Sequence, residues 1–268
     1  MMKRLIYQVY VGDFVKKSNL YDTCIESVAR YCKEHEIDHY VQRTAMLRIK
    51  PDPLTSNRPP ASHVKFGGYM PIFEKENALG KLIDYDQVCV VDADIYIRED
   101  APNIFEDVST DFDMCSVFES EMPLNQWYKA KHIDYCQKLL TPFKQYDWNF
   151  NNGFGGSFFN SGLIVYNSER IIPFFRGETP AEFLSRDYFK DFIDGIGWLR
   201  WQGDQIMLNY WTKREGITVQ HLDWKWNALF RGIEDSRIPE AHSVHFYMRE
   251  RLPNLGENIQ ELLELIGK

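Results

Sequence analysis

Apolar residues recur along this chain in two periods, and the switches between them predict its elements. Residues 5–11 read as a first strand, stopped by Gly12-Asp13. Residues 20–36 carry Leu20, Cys24, Val28 and Tyr31 at helical spacing, with Ser18 or Asn19 able to serve as N-cap. A second strand is expected over 37–41. Residues 50–62 hold Pro51, Pro53, Pro59 and Pro60, a density that predicts a loop. Residues 71–85 predict a helix that delivers the chain to Val88-Cys89-Val90-Val91, a buried-strand signature.

Further strands are predicted at 95–97, 113–118, 162–166, 218–222 and 243–247. Helical patterns fall at 123–140, 181–193, 205–214 and 257–266. Residues 146–160 are rich in Asn, Gly and aromatic side chains and have no usable period. Strands alternating with helices predict an α/β fold with a central sheet. At 268 residues and 44% hydrophobic content, the chain can build one large α/β domain with a substantial core.

The strand at 88–91 ends abruptly in Asp92-Ala93-Asp94, two carboxylates one residue apart. In an open α/β sheet, ligands gather beyond the carboxyl ends of the strands. Two acids placed there repel each other and resist desolvation unless a cation lies between them. A hard divalent ion resolves the conflict and leaves positions open for phosphate oxygens. The bland alternative is a strand-ending turn or a helix cap.

The formal net charge of -8 argues against nucleic acid as a main partner, since phosphate backbones require clustered Lys and Arg. A small phosphate ligand needs only a few local cations. The five cysteines, Cys24, Cys32, Cys89, Cys115 and Cys136, are an odd count with no Cys-x-x-Cys spacing. They suit reduced, structural thiols and a cytoplasmic location. No long apolar stretch reads as a signal peptide or a membrane anchor. The oligomeric state is left open.

Three later segments join the Asp pair. Asn160-Ser161-Gly162 forms a small polar corner before the apolar run to Tyr166. Gly203-Asp204-Gln205 puts an acid and an amide at a helix start. His242-Ser243-Val244-His245-Phe246 is a short strand followed by Arg249 and Arg251. In this order the segments resemble nucleotide-sugar glycosyltransferases of the GT-A fold, most closely the retaining glycosyltransferase family 8. The resemblance runs from the first strand to about Arg251.

That resemblance implies a single GT-A domain over 1–268: a Rossmann-like nucleotide-binding half (1–100), a donor-sugar and acceptor half (101–268), and a mixed central sheet flanked by helices. It implies a manganese ion, with magnesium as the alternative, held by Asp92, Asp94 and His245. Asn160, Ser161 and Gly162 match the segment that lines the donor sugar, and Asp204 and Gln205 match the pair beside the anomeric centre. Lys75 matches a basic residue that contacts the diphosphate. Val11 and Asp13 fall near the base, and Ala93 lies within the Asp-x-Asp motif. Where the family continues from its late His through Gly to Lys-Pro-Trp, this chain has Tyr247-Met248-Arg249-Glu250-Arg251-Leu252-Pro253. Arg251 stands at the Lys position, and its guanidinium suits forked phosphate contacts.

The implied activity is transfer of a sugar, a hexose in the leading case, from a UDP-sugar to a carbohydrate hydroxyl, with retention. Trp148 or Trp224 is expected near the acceptor, because flat aromatic faces suit sugar rings. His242 is the weaker ligand candidate, since it begins its strand. Asp204 has a bland reading as a helix N-cap, and Lys75 one as a solvated helix lysine. A nucleotidyl- or phosphotransferase could use the same Asp pair, but no Gly-x-x-x-x-Gly-Lys loop is present. A non-catalytic glycan-binding module on the same fold is the third class.

Overall fold

Every side chain of β3 (Gln87–Val91) is buried, and this strand organises the molecule. The computed structural model describes residues 2–11, 19–58, 67–150, 153, 155–201 and 203–267. β3 lies in a six-stranded mixed sheet with β1 (Arg4–Val9), β2 (Asp38–Gln42), β5 (Met114–Phe118), β6 (Phe159–Asn167) and β7 (Val219–His221), in the order β2-β1-β3-β6-β5-β7. β1 runs parallel to β2 and β3, whereas β6 runs antiparallel to both β3 and β5. A second sheet, β4-β9-β8, joins β4 (Ile95–Ile97), β9 (Ser243–His245) and β8 (Ala228–Leu229).

The strand period of two divides the core. Ile6, Cys89, Val91, Cys115, Leu163 and Val165 face one apolar layer, packed with Leu20, Cys24, Val28 and Tyr31 of the helix Asn19–Glu34. Leu5, Tyr7, Val88, Val90, Met114, Ile164 and Tyr166 face the other, packed with the helices Gln126–Leu140 and Asp204–Glu215. A sheet covered on both faces needs near-continuous apolar strands, as β3 and the later part of β6 have.

Several elements depart from the periodicity. Residues 71–85 were expected to form an α-helix, but Pro71–Lys81 winds as a 3-10 helix. The tighter winding stacks residues three apart, which puts Lys75 and Ala78 in one row and Phe73, Glu76 and Leu79 in another, all turned inward. The pattern over 181–193 divides into Pro180–Leu184 and Lys190–Asp194. A Thr179–Glu182 capping box starts the first piece, and Ser185 ends it. β6 begins at Phe159, three residues before the apolar run, because Asn209 on the neighbouring helix pairs with the Phe159 backbone N–H and C=O. β8 is only two residues long, too short to leave a period.

The reduced-thiol reading matches the structure: all five cysteines are buried and free. No helix among the described residues is long and apolar enough to cross a membrane.

Candidate functional site

β3 ends at Val91, and the chain turns through Asp92-Ala93-Asp94 before entering β4. The turn is fixed at both ends: Asp92 N–H donates to the Gly162 carbonyl (2.8 Å), and Phe246 N–H donates to the Asp94 carbonyl (2.9 Å). β4 pairs antiparallel with β9 in a register that sets Ile95 opposite His245. One residue after the second acid, the ladder therefore brings in the histidine.

His245 Nε2 lies 3.3 Å from Asp94 Oδ1 and 3.8 Å from Asp92 Oδ2. The three ligand atoms fall within 4.8 Å of one another, a spacing that can hold a metal ion. The donor set fits a divalent ion of intermediate hardness: two carboxylates, one imidazole and no thiolate. The opposite imidazole nitrogen, Nδ1, lies 3.0 Å from Asn227 Oδ1, an acceptor, so Nδ1 donates and Nε2 is the nitrogen turned toward the acids. Burial opposes the charge of His245, yet Asp94 and then Asp92 raise its pKa. Burial raises the pKa of Asp92. It also opposes the charge of Asp94, but His245 pulls the pKa of that carboxyl below its ordinary value.

The 3-10 segment Pro71–Lys81 contributes Lys75. Its ammonium donates to Asp92 Oδ1 (2.8 Å) and to the Ser161 carbonyl (3.2 Å), and lies 2.7 Å from Asp204 Oδ2. The last contact is charge against charge, because that oxygen has no aligned hydrogen bond. Burial opposes the ammonium charge, but Asp204 and Asp92 outweigh it and raise the Lys75 pKa. Lys75 is thus a buried counter-ion rather than a solvated helix lysine. The neighbouring Glu76 is buried too, and desolvation followed by repulsion from Asp204 pushes its carboxyl up to about 8.

Asp204 is the first residue of its helix, and Gly203 holds the N-cap position. Its carboxylate is spent on Lys75 instead of capping the helix. A Cβ on Gly203 would stand 2.1 Å from Ile72 Cδ1, so a larger residue there would make the Ile72 side chain move aside. Gln205 follows, and its Oε1 accepts from Ser161 N–H (3.2 Å). Asn160 and Ser161 are buried in β6, and Gly162 faces the imidazole of His245.

Glu119, directly after β5, was not anticipated. It is 3% exposed, and four donors surround its carboxylate. Asn160 Nδ2 (2.7 Å) and Gln205 Nε2 (3.0 Å) reach Oε1; Tyr128 Oη (3.0 Å) and His132 Nδ1 (3.1 Å) reach Oε2. Burial opposes its charge, but the hydrogen bond from His132 lowers the Glu119 pKa. Burial likewise opposes a charge on His132, yet its hydrogen bonds to Cys136 and Glu119 lift it to about 10. An apolar strand ending in an acid was the available signal, the same one that marked Asp92, but no motif accompanied it.

The other expected residues have varied surroundings. Val11 follows β1 and is half-buried, and Ala93 is buried between the two acids. Asp13 lies outside the described residues. Arg249 pairs with Glu257 and donates to the Leu255 carbonyl (2.7 Å). The Arg251 guanidinium sits over the Trp127 ring at 3.7 Å. His242 packs beside Trp226 at 4.9 Å. Trp148 is buried in the core, where its indole N–H donates to the Phe143 carbonyl (2.9 Å), so it offers no face to a sugar. Trp224 is half-buried, 5.3 Å from the Arg237 guanidinium.

The fold has counterparts among solved structures. An active-site mutant of LgtC aligns with a TM-score of 0.53 at 13% identity, covering 98% of this chain and 95% of that one. The apo structure of the bifunctional glycosyltransferase WbbM aligns with a TM-score of 0.51 at 12% identity, covering 100% of this chain and 50% of that one. A glycosyltransferase involved in glycosylation of the major capsid of PBCV-1 aligns at 0.46 with 14% identity, covering 92% and 94% of the two chains. No protein-family profile and no curated protein matches the chain. At these identities the likeness is one of fold: the chain has the GT-A glycosyltransferase fold.

Proposed function

We propose that this protein is a metal-dependent glycosyltransferase of the family 8 type. In this reading it moves a hexose from a UDP-sugar to a carbohydrate hydroxyl, with retention at the anomeric carbon. One observation carries the reading. Asp92, Asp94 and His245 meet at the end of β3, within one hydrogen-bonded cluster with Lys75, Asp204, Gln205 and Asn160. Two acids that close to a buried imidazole form a site for a cation, and the fold is one that glycosyltransferases use.

Manganese suits the donor set best, with magnesium as the second choice. When bound, the ion supplies Lewis-acid neutralisation of the charge that develops on the leaving diphosphate. Lys75 adds a preorganised positive charge beside it, and Arg251 a second one from the rim. Residues 1–100 hold the nucleotide, with Val11 bordering the base. Residues 101–268 hold the donor sugar and the acceptor. Asn160, Ser161 and Gly162 line the donor sugar, which is also within reach of Ala93. Asp204 and Gln205 face the anomeric centre, where oxocarbenium-like charge appears in the transition state. Among the described residues of the cluster no strong nucleophile stands free, which favours front-face displacement.

The test is a panel of UDP-, GDP- and TDP-sugars, with and without manganese, read by thermal shift and by nucleotide release. Manganese-dependent stabilisation and turnover with a UDP-sugar are expected. Tighter binding of GDP than of UDP would move the assignment to another donor class.

A further inference from the structure

Hydrogen-bond polarity runs unbroken from Glu119 to the metal-binding histidine. An ionised carboxylate only accepts, and the four donors named above fill the lone pairs of Glu119. It has none left for a substrate hydroxyl. Because Asn160 must turn its NH2 group to Glu119 (2.7 Å), its Oδ1 faces the other way. There it accepts from Gly162 N–H (2.9 Å) and from Asn227 Nδ2 (2.9 Å). The Gly162 N–H is a backbone donor and imposes the same orientation. Asn227, having spent its NH2 on Asn160, presents Oδ1 to His245 Nδ1 at 3.0 Å. An amide oxygen cannot donate, so the proton of the neutral imidazole belongs on Nδ1.

This orientation opposes the local field. Asp94 and Asp92 lie 3.3 Å and 3.8 Å from Nε2 and attract a proton to that atom, the one a metal ion needs bare. Glu119, Asn160, Asn227 and His245 are all buried, so water cannot take over a missing partner.

We propose that Asn227 is the positioning residue that makes His245 a metal ligand. In this account its own orientation is imposed through Asn160 by Glu119 and the Gly162 backbone. The inference rests on the metal site of the proposed function, but its first readout needs neither metal nor turnover. Nitrogen-15 NMR of the metal-free protein reports which ring nitrogen of His245 carries the proton. The measurement is made above the titration of His245, which the same spectra locate, so that the neutral imidazole is observed.

The wild type should show His245 protonated on Nδ1 alone. Asn227→Leu should move the proton to Nε2 and weaken manganese binding by about tenfold or more, the usual scale for losing a ligand's hydrogen-bond partner. Asn227→Asp, which keeps an acceptor against Nδ1, should restore the Nδ1–H form. Asn160→Ala leaves Asn227 in place but free to turn, and should give a mixture of the two forms. An Nε2–H imidazole in the wild type would overturn the proposal without any variant. So would an unchanged tautomer and unchanged manganese affinity in Asn227→Leu, and a single Nδ1–H form in Asn160→Ala would remove the relay. A wild type that binds no manganese would instead sink the functional reading, while the tautomer still decides this one.

Discussion

A Cβ built on Gly162 would stand 2.5 Å from His245 Cε1 and 2.7 Å from its Nδ1. The glycine of the Asn160-Ser161-Gly162 corner is therefore the surface against which the imidazole rests. Gly162→Ala must push the ring away from the Asp pair or push β6 away from the ring. Manganese affinity should fall about tenfold or more, on the scale of disturbing a ligand's supporting shell. The overpacking itself should cost about 1–3 kcal/mol of stability. Calorimetric titration with manganese and a urea melt read the two effects separately. Wild-type manganese affinity in the alanine variant would show that the ring's position does not matter.

Asp204 gives a second prediction, because its partner is a charge and not a helix end. Asn in its place keeps the shape but leaves the Lys75 ammonium with only Asp92 as an ionic partner. A group that stabilises developing positive charge acts on turnover more than on donor binding. Asp204→Asn should lower kcat by about tenfold or more, with UDP affinity little changed. The readout is steady-state kinetics beside UDP calorimetry. A near wild-type kcat would reduce Asp204 to a structural counter-ion and move attention to Gln205.

The Glu119–His132 pair predicts a pH dependence of stability. Raised to about 10 from an ordinary 6.5, His132 stabilises the fold fully below pH 6.5, and the contribution is lost as pH rises through about 10. Glu119 is lowered from its ordinary 4.5, so its contribution is present above that value and lost as pH falls through the folded one. Wild type and His132→Gln should thus differ most in melting temperature between pH 4.5 and 6.5, and converge by about pH 10. A difference that stays constant with pH would mean that His132 is neutral in the folded protein.

Local pattern carried much of this protein. The two-sided burial of β3 shows directly as an apolar run, and Asp92 and Asp94 are legible because they interrupt it. The helix Asn19–Glu34 follows its period because one stripe packs on the sheet. Glu119 and Asn227 were not legible, since their roles arise from partners 41 and 18 residues away. No local window holds both ends of such a bond. His132 and Cys136 do share one helix face, four residues apart, yet what makes His132 matter is Glu119, the acid that follows β5. Trp148 misled for a related reason: its flat face suited a sugar ring, whereas the ring is buried and its indole N–H donates to the Phe143 carbonyl.

In the proposed function Asp92, Asp94 and His245 hold one metal ion against a nucleoside diphosphate. Manganese binding by electron paramagnetic resonance, with and without UDP, on the wild type and on Asp94→Ala tests it most directly. The wild type should bind one manganese ion, more tightly when UDP is present, and lose sugar transfer on chelation. Asp94→Ala should lose the UDP-dependent binding and the transfer together. Full transfer by Asp94→Ala, or by the chelated wild type, would contradict it.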